Sequence, residues 1–305
     1  MKDISISIII PTYQRKVLLK RCVEQILSQI CGSDEIIVCN DDRNEALSHE
    51  LFGWDRDIIR IIENNGPRGP SGTRNTGALA AKNDILLFMD DDDFMRSGYI
   101  NSLKSTLIRH PNSDYGGSNI QLFSSETALD ELPLLNNEIA ELVTRPAERL
   151  IGSGCGMWFN KALFLDLGMF DINLNNTEDN DICMRATARK ANCHKFKQPW
   201  IYVNRVQHKE MSSLTNITPL KDKIQNWWKV YEKSRTLLPF YNGVRITLLE
   251  RFIRRSVRLG YRSKALKTLL YNAKDPLTFI ALTYWSFMSF QNLMTHIKSR
   301  IKYWY

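Results

Sequence analysis

Apolar and polar positions along the first third of the chain alternate between two rhythms. Residues 4–10 form an apolar, β-branched run closed by Pro11, which predicts a first strand. Residues 16–30 carry Leu18, Cys22, Ile26, Leu27 and Ile30 at helical spacing. Residues 35–39 predict a second strand, 57–62 a short third and 84–89 a fourth. Before the fourth strand, Asn64-Asn65-Gly66-Pro67 and Gly69-Pro70 punctuate a loop, and Ser71 is placed to cap a helix over 73–82. Strands alternating with helices predict a parallel α/β sheet. After Asp114 the pattern changes to a strand over 115–123, a polar stretch over 124–149, further short strands and a helix over 180–190. From Lys221 onward the pattern is helical, with Trp227, Trp228 and Tyr231 near its start, and no internal repeat interrupts the chain.

The fourth strand carries the most informative feature. Ile85-Leu86-Leu87-Phe88-Met89 runs directly into Asp90-Asp91-Asp92-Asp93. A strand that is apolar on both faces belongs to a parallel sheet covered by helices. Ligands of such sheets bind beyond the carboxyl ends of the strands. Four adjacent carboxylates repel one another unless a cation sits among them, and hard oxygen ligands suit Mg²⁺ or Mn²⁺ held with a phosphate. Taken alone, the run reads more readily as a solvated acidic turn; the motifs around it reverse that reading.

Other polar groups fall at neighbouring strand ends. Pro11-Thr12-Tyr13 ends strand one, where a ring and a hydroxyl can meet a base. Asn40-Asp41-Asp42 ends strand two, where a carboxylate can accept from a base N–H. Gly69-Pro70-Ser71-Gly72-Thr73-Arg74-Asn75-Thr76-Gly77 combines glycines that admit close backbone approach with an arginine suited to phosphate. It lacks the Gly-Lys-Ser/Thr ending of a nucleotide-binding P-loop.

In this order the motifs resemble the family 2 glycosyltransferases, over roughly residues 4–215. Downstream, Gly168-Met169-Phe170-Asp171, then Glu178-Asp179-Asn180-Asp181 with Cys183 and Arg185, is similar to the family's acceptor-side segment, and His208 with Ser212-Ser213 to its late His and Ser positions. The resemblance implies a GT-A fold, Rossmann-like with a mostly parallel sheet flanked by helices. It implies inverting, metal-dependent transfer of a sugar from a nucleotide-sugar, UDP by family frequency, to a glycan hydroxyl. Thr12, Tyr13 and Asp41 would meet the base, with Pro11 beside them. The family's Asp-Gly-Ser is here Asp41-Asp42-Arg43, which leaves Asp42 open as the base-contacting residue. Arg74 would support the phosphates. Asp92 would hold Mn²⁺ or Mg²⁺, with Asp90 acting through the sugar or a water, Asp91 on the donor side, and His208 as a further ligand or a phosphate contact. Asp179 would be the general base, an exposed carboxylate at a helix start, with Glu178 as helper and Asp181 as fallback. Gly152 to Gly156 is a glycine-rich segment suited to the border of the acceptor site. A sugar-nucleotide nucleotidyltransferase would carry a longer glycine-rich, basic loop after strand one. An inactive, membrane-associated relative is the other alternative.

The bulk numbers add an organisation. A length of 305 residues and 43% hydrophobic content suit a GT-A domain over 1–220, divided at about residue 115 into donor and acceptor halves, plus an extension over 221–305. That extension holds 17 Lys/Arg and four Asp/Glu, leaving 24 against 29 in residues 1–220. Arg251, Arg254, Arg255 and Arg258 recur at helical spacing between apolar residues, and residues 296–305 hold His296, the cations Lys298, Arg300 and Lys302, and the interfacial aromatics Tyr303, Trp304 and Tyr305. Such segments lie on anionic membranes; no recognised nucleic-acid module accompanies the charge. The longest apolar stretch, 277–290, is too interrupted to span a bilayer. No signal-peptide pattern opens the sequence, and six scattered cysteines without a C-x-x-C pair fit a reducing compartment. The expected setting is therefore cytoplasmic, on the inner face of the cell membrane, acting on a lipid-linked glycan of lipopolysaccharide or capsule type.

Overall fold

The computed structural model describes residues 4–123, 137–152, 154–174, 176–204, 218–272, 274–275, 277 and 281–282. The chain forms two compact units, Met1–Ile217 and Thr218–Tyr305.

The first unit is built on one nine-stranded sheet. Its parallel half consists of β1 (Ile6–Thr12), β2 (Glu35–Asn40), β3 (Ile59–Glu63) and β4 (Ile85–Phe88). Its second half consists of β5 (Phe94–Met95), β6 (Tyr115–Phe123), β7 (Glu141–Leu142), β8 (Trp158–Asn160) and β9 (Cys193–Asn204). The strand order is β3-β2-β1-β4-β8-β6-β9-β5, with β7 on β9. β4 pairs with β8 antiparallel, which is where the sheet changes from parallel to mixed. Every residue of β2 and β4 is buried, as expected of strands covered on both faces.

Helices cover the two faces. α1 (Lys16–Leu27) turns Leu19, Cys22, Val23 and Ile26 onto Ile8, Ile10, Ile36 and Val38. These side chains recur every three or four residues, so they form one apolar stripe. α2 (His49–Phe52) is a single turn between β2 and β3. α3 (Pro70–Ala80) lies on the other face, where Gly77 meets Ile9; a Cβ on Gly77 would come 2.5 Å from the Ile9 side chain. α4 (Tyr99–Arg109) joins the α1 side through Ile100 and Leu103. The α3 face is completed by α5 (Lys161–Asp166), whose Phe164 packs tilted against Phe88 and edge-on to Phe170. α6 (Glu178–Ala188) precedes β9.

Local chemistry explains the adjusted boundaries. α3 begins at Pro70, with Gly69 as N-cap at φ 98°, so Ser71 sits inside the first turn and is not the cap. Proline at the first helical position loses no hydrogen bond, and glycine tolerates the left-handed entry. α6 likewise starts at Glu178, two residues before the predicted Asn180.

The second unit contains α7 (Leu220–Leu237), α8 (Gly243–Arg258) and α9 (Arg262–Tyr271). α8 buries Leu248, Phe252, Ile253 and Val257 and exposes Arg254, Arg255 and Arg258. Asp275 is buried with Arg245 at 2.5 Å and the Tyr231 hydroxyl at 2.9 Å. Among the described residues no helix is long and apolar enough to cross a membrane. Most of 277–290, and all of 296–305, lie outside the described residues.

Candidate active site

The site lies beyond the carboxyl ends of β1, β2 and β4. Parallel register aligns Thr12 with Asn40. The Thr12 hydroxyl donates to Asp91 at 2.7 Å, tying the end of β1 to the acidic run after β4. Tyr13 is exposed, and Gln14 holds the left-handed backbone conformation, φ 55°. A non-glycine residue in that region stores strain of about 1–3 kcal/mol, which surrounding contacts must offset. Here Gln14 donates to Asp42 at 2.8 Å.

A cleft opens there, lined by Thr12, Gln14, Arg15, Lys16, Asn40, Asp42 and Glu45. The two strand-two aspartates divide the work. Asp41 accepts from Asn64 at 2.6 Å and from the Gly69 amide at 2.9 Å, so it anchors the turn that starts α3. Asp42 lines the cleft, and the Asn44 amide together with Gln14 holds its pKa below the ordinary carboxylate range.

The four consecutive aspartates have four different surroundings. Asp90 is half-buried and pairs with Arg74 at 2.5 Å. Asp91 is buried, accepts from Thr12, and lies 3.4 Å from Arg15. Burial, with Asp92 and Asp90 nearby, outweighs Arg15 and pushes its pKa up to about 7. Asp92 pairs with Arg15 at 2.5 Å. Asp93 turns inward to accept from the Asn204 amide at 3.1 Å, and burial raises its pKa.

One ligand atom each from Asp90, Asp93 and Cys155 lies within 4.8 Å of the others. Burial pushes the Cys155 thiol well up, so at neutral pH it is a neutral donor beside two carboxyls. Two guanidiniums, Arg15 and Arg74, face this acidic run; its carboxylate oxygens are the hard donors that suit Mn²⁺ or Mg²⁺, whereas the neutral Cys155 thiol is not. Sequence reading placed the ligands on Asp90 and Asp92; the donor cluster brings in Asp93 and Cys155. His208 lies outside the described residues.

Arg74 connects this acidic run to the start of α6. Its guanidinium reaches Asp90 at 2.5 Å and Glu178 at 3.2 Å, with the Phe170 ring 5.9 Å away. Gly154 lies on it as well: an added Cβ there would stand 3.5 Å from the guanidinium carbon. Gly154 and Cys155, from the glycine-rich segment, therefore flank Arg74 and Asp90. Burial raises the Glu178 pKa, and Arg74 opposes that shift. Among the described residues, Glu178 Oε2, Arg74 Nε and Thr177 Oγ1 are buried without a hydrogen-bond partner.

Asp179 is only 8% exposed, which corrects the expectation of an exposed carboxylate. The whole first turn of α6 is buried, and Asp179 Oδ1 accepts from the amide and side chain of Asn180, each at 2.7 Å. Asp181 is fully buried on Arg185, at 2.6 Å, and Arg185 also donates to the Leu167 and Met169 carbonyls. Asp181 is thus committed to the fold.

Sequence reading did not single out Arg15, Asp93 or Cys155 as site residues. Arg15 had one available signal: a cation in the turn after strand one, the turn that must face an acidic run at the end of strand four.

Comparison with known proteins agrees with this geometry. A sequence model of glycosyl transferase family 2 matches residues 7–168. A GalNAc(5)-diNAcBac-PP-undecaprenol beta-1,3-glucosyltransferase of Campylobacter jejuni is 33% identical over 113 residues, 36% of this chain and 35% of that protein. The match therefore spans about a third of that relative's length. A UDP-Glc:alpha-D-GlcNAc-diphosphoundecaprenol beta-1,3-glucosyltransferase of Escherichia coli is 28% identical over 30% of this chain and 37% of its own. Among solved structures, S. aureus TarS 1-349 in complex with UDP-GlcNAc superposes with a TM-score of 0.64 at 16% identity, covering 83% of this chain and 72% of that one. A Pyrobaculum calidifontis mannosyltransferase in complex with GDP-Man and Mn²⁺ gives 0.54 at 14% identity, covering 92% and 83%. With the family's motifs at the ends of the strands and its GT-A sheet around them, the chain belongs to glycosyl transferase family 2 and is an enzyme of the glycosyltransferase type.

Proposed function

We propose that this enzyme transfers a sugar, with inversion, from a UDP-sugar to a hydroxyl of a lipid-linked glycan during surface-polysaccharide assembly. The observation that carries this reading is Arg74, which joins Asp90 after β4 to Glu178 beside Asp179. It sets a guanidinium, a group suited to phosphate, between Asp90 and the helix start that carries Asp179.

Thr12, Tyr13, Asp41 and Asp42 would hold the base at the ends of β1 and β2. Arg74 would meet the diphosphate. Asp90, Asp92 and Asp93 would hold Mn²⁺ or Mg²⁺, which neutralises the charge developing on the diphosphate leaving group. Inversion requires one base opposite the leaving group. As the acceptor oxygen bonds to the anomeric carbon and the bond to the diphosphate breaks, Asp179 would take the hydroxyl proton. Glu178 would orient the acceptor through Oε2, which has no hydrogen-bond partner among the described residues. UDP as the nucleotide is supported by the S. aureus TarS complex with UDP-GlcNAc, and the lipid-linked acceptor by the names of the C. jejuni and E. coli relatives.

The exposed Arg254, Arg255 and Arg258 of α8, with Arg262, Lys264 and Lys267 of α9, support placing the enzyme at the anionic inner face of the cell membrane. Co-sedimentation with anionic vesicles, lost at high salt, is the expected result. An intact chain that stays in the supernatant overturns the membrane part.

Nucleotide release from a panel of UDP-, GDP- and dTDP-sugars tests the chemistry, with Mn²⁺ or Mg²⁺ and then with EDTA. Metal-dependent release from one UDP-sugar, abolished in Asp179→Asn and Asp92→Ala, is expected. Release that survives EDTA undamped removes the metal, and release from a GDP- or dTDP-sugar alone removes UDP. Pyrophosphate formation from an NTP and a sugar 1-phosphate would replace the reading with a nucleotidyltransferase.

A further inference from the structure

Arg15 occupies the position of a cation that the acidic run otherwise needs. Its guanidinium stands 2.5 Å from Asp92 and 3.4 Å from Asp91, at the N-cap of α1, with 30% of its side chain exposed. Lys16, the neighbouring cation, pairs with Glu45, and Arg74 pairs with Asp90 and Glu178 on the other side of the run. Among the described residues, Arg15 is the cation within ion-pair distance of Asp91 and Asp92.

We infer that Arg15 is a displaceable placeholder for the divalent cation, and that it makes cation entry depend on the nucleoside diphosphate. The inference rests on the proposed nucleotide-sugar function. A guanidinium and a divalent ion cannot share Asp92 without repelling each other at close range. In the free enzyme the bare ion must therefore displace Arg15, and its affinity is reduced by that competition. A diphosphate changes the balance, because its oxygens accept the planar guanidinium fork and give Arg15 a new partner. Arg15 is long, partly exposed and carried on a turn, so it can swing from Asp92 to the diphosphate without unfolding an element. Asp92 then faces the ion that arrives with the nucleotide. The two ligands become coupled through one side chain, and such coupling is ordinarily worth about 5- to 150-fold in affinity. Arg15 is in this sense a positioning residue, acting on the ion through Asp92.

The test is a Mn²⁺ titration followed by electron paramagnetic resonance, with and without UDP or GDP. The proteins are the wild type, Arg15→Ala, Arg15→Gln and Arg15→Lys, each checked for folding by circular dichroism. The wild type should bind Mn²⁺ weakly alone and at least about ten-fold more tightly with nucleotide. Arg15→Ala should gain about ten-fold in affinity for Mn²⁺ alone, and its nucleotide enhancement should fall below about three-fold. Arg15→Lys, which keeps the charge, should lie between. A gain of metal affinity is a result that a merely damaged fold would not produce. If Arg15→Ala does not fold, Arg15→Gln carries the same comparison. Folded neutral variants whose Mn²⁺ affinity equals or falls below the wild type overturn the inference while leaving nucleotide-enhanced binding in the wild type intact. Absence of nucleotide-enhanced Mn²⁺ binding in the wild type removes the proposed donor chemistry and this inference together.

Discussion

Arg74 and Glu178, 104 positions apart in sequence, meet as a buried ion pair at 3.2 Å. Removing one member of a buried pair leaves an uncompensated charge, at a cost of about 3–5 kcal/mol. Arg74→Ala should therefore lower the urea midpoint strongly as well as abolish transfer. Arg74→Lys should recover part of the stability and little activity, because one ammonium cannot serve Asp90 and Glu178 in the planar geometry of the guanidinium fork. Urea unfolding beside nucleotide release separates the two effects. Equal recovery of both in the lysine variant would argue that Arg74 acts as charge alone.

Asp179 and Asp181 lie on the same helical turn and should fail differently. Asp179→Asn should keep the melting temperature close to wild type and lower kcat by about 10²- to 10⁴-fold, as loss of a general base does. Asp181→Ala strands Arg185 and the loop carbonyls it holds, so it should cost about 3–5 kcal/mol in stability. Asp179→Asn with full turnover would move the base elsewhere.

Gly72 packs against the turn that starts α3. A Cβ there would come 1.9 Å from the Pro67 carbonyl oxygen, which is backbone and cannot rotate away. Gly72→Ala should cost about 1–3 kcal/mol and raise the donor KM, because α3 carries Arg74. Urea unfolding and a donor titration measure the pair of effects; an unchanged donor KM would show that the turn tolerates the shift.

In the helical unit, Asp275 sets an acid limit. Burial pushes its pKa up, but the Leu277 amide, the Tyr231 hydroxyl and Arg245 outweigh that and hold it below its ordinary value. A depressed carboxyl contributes stability above the unfolded pKa, near 3.8, and loses it as pH falls through the lower folded pKa. The stability difference between wild type and Asp275→Asn should accordingly be constant above about pH 5 and shrink below about pH 4. Melting curves across that range follow it. A difference that grows as pH falls would contradict the pairing.

The parallel half of the sheet was legible in the sequence because its cause is local. Residues 4–10, 35–39 and 84–89 are apolar runs bounded by turns, and a fully buried strand leaves that imprint on neighbouring positions. Pro11-Thr12-Tyr13, the glycine-rich turn with Arg74, and Asp90 to Asp93 were legible too, because strand ends in such a sheet face one edge. α4 was not read, since its buried Tyr99, Leu103 and Leu107 mix with polar residues within two turns.

By itself, then, the sequence determined the strand–helix alternation, the family and the acid run at the strand end, all of which depend on residues close together in the chain. Tertiary structure decided what those acids do. It alone placed Arg15 on Asp92, Arg74 between Asp90 and Glu178, and Cys155 beside Asp90 and Asp93. It also turned Asp179 from an exposed residue into a buried one. Electrostatic partnership falls off steeply with distance in space and is indifferent to separation along the chain, so no local pattern could have written it.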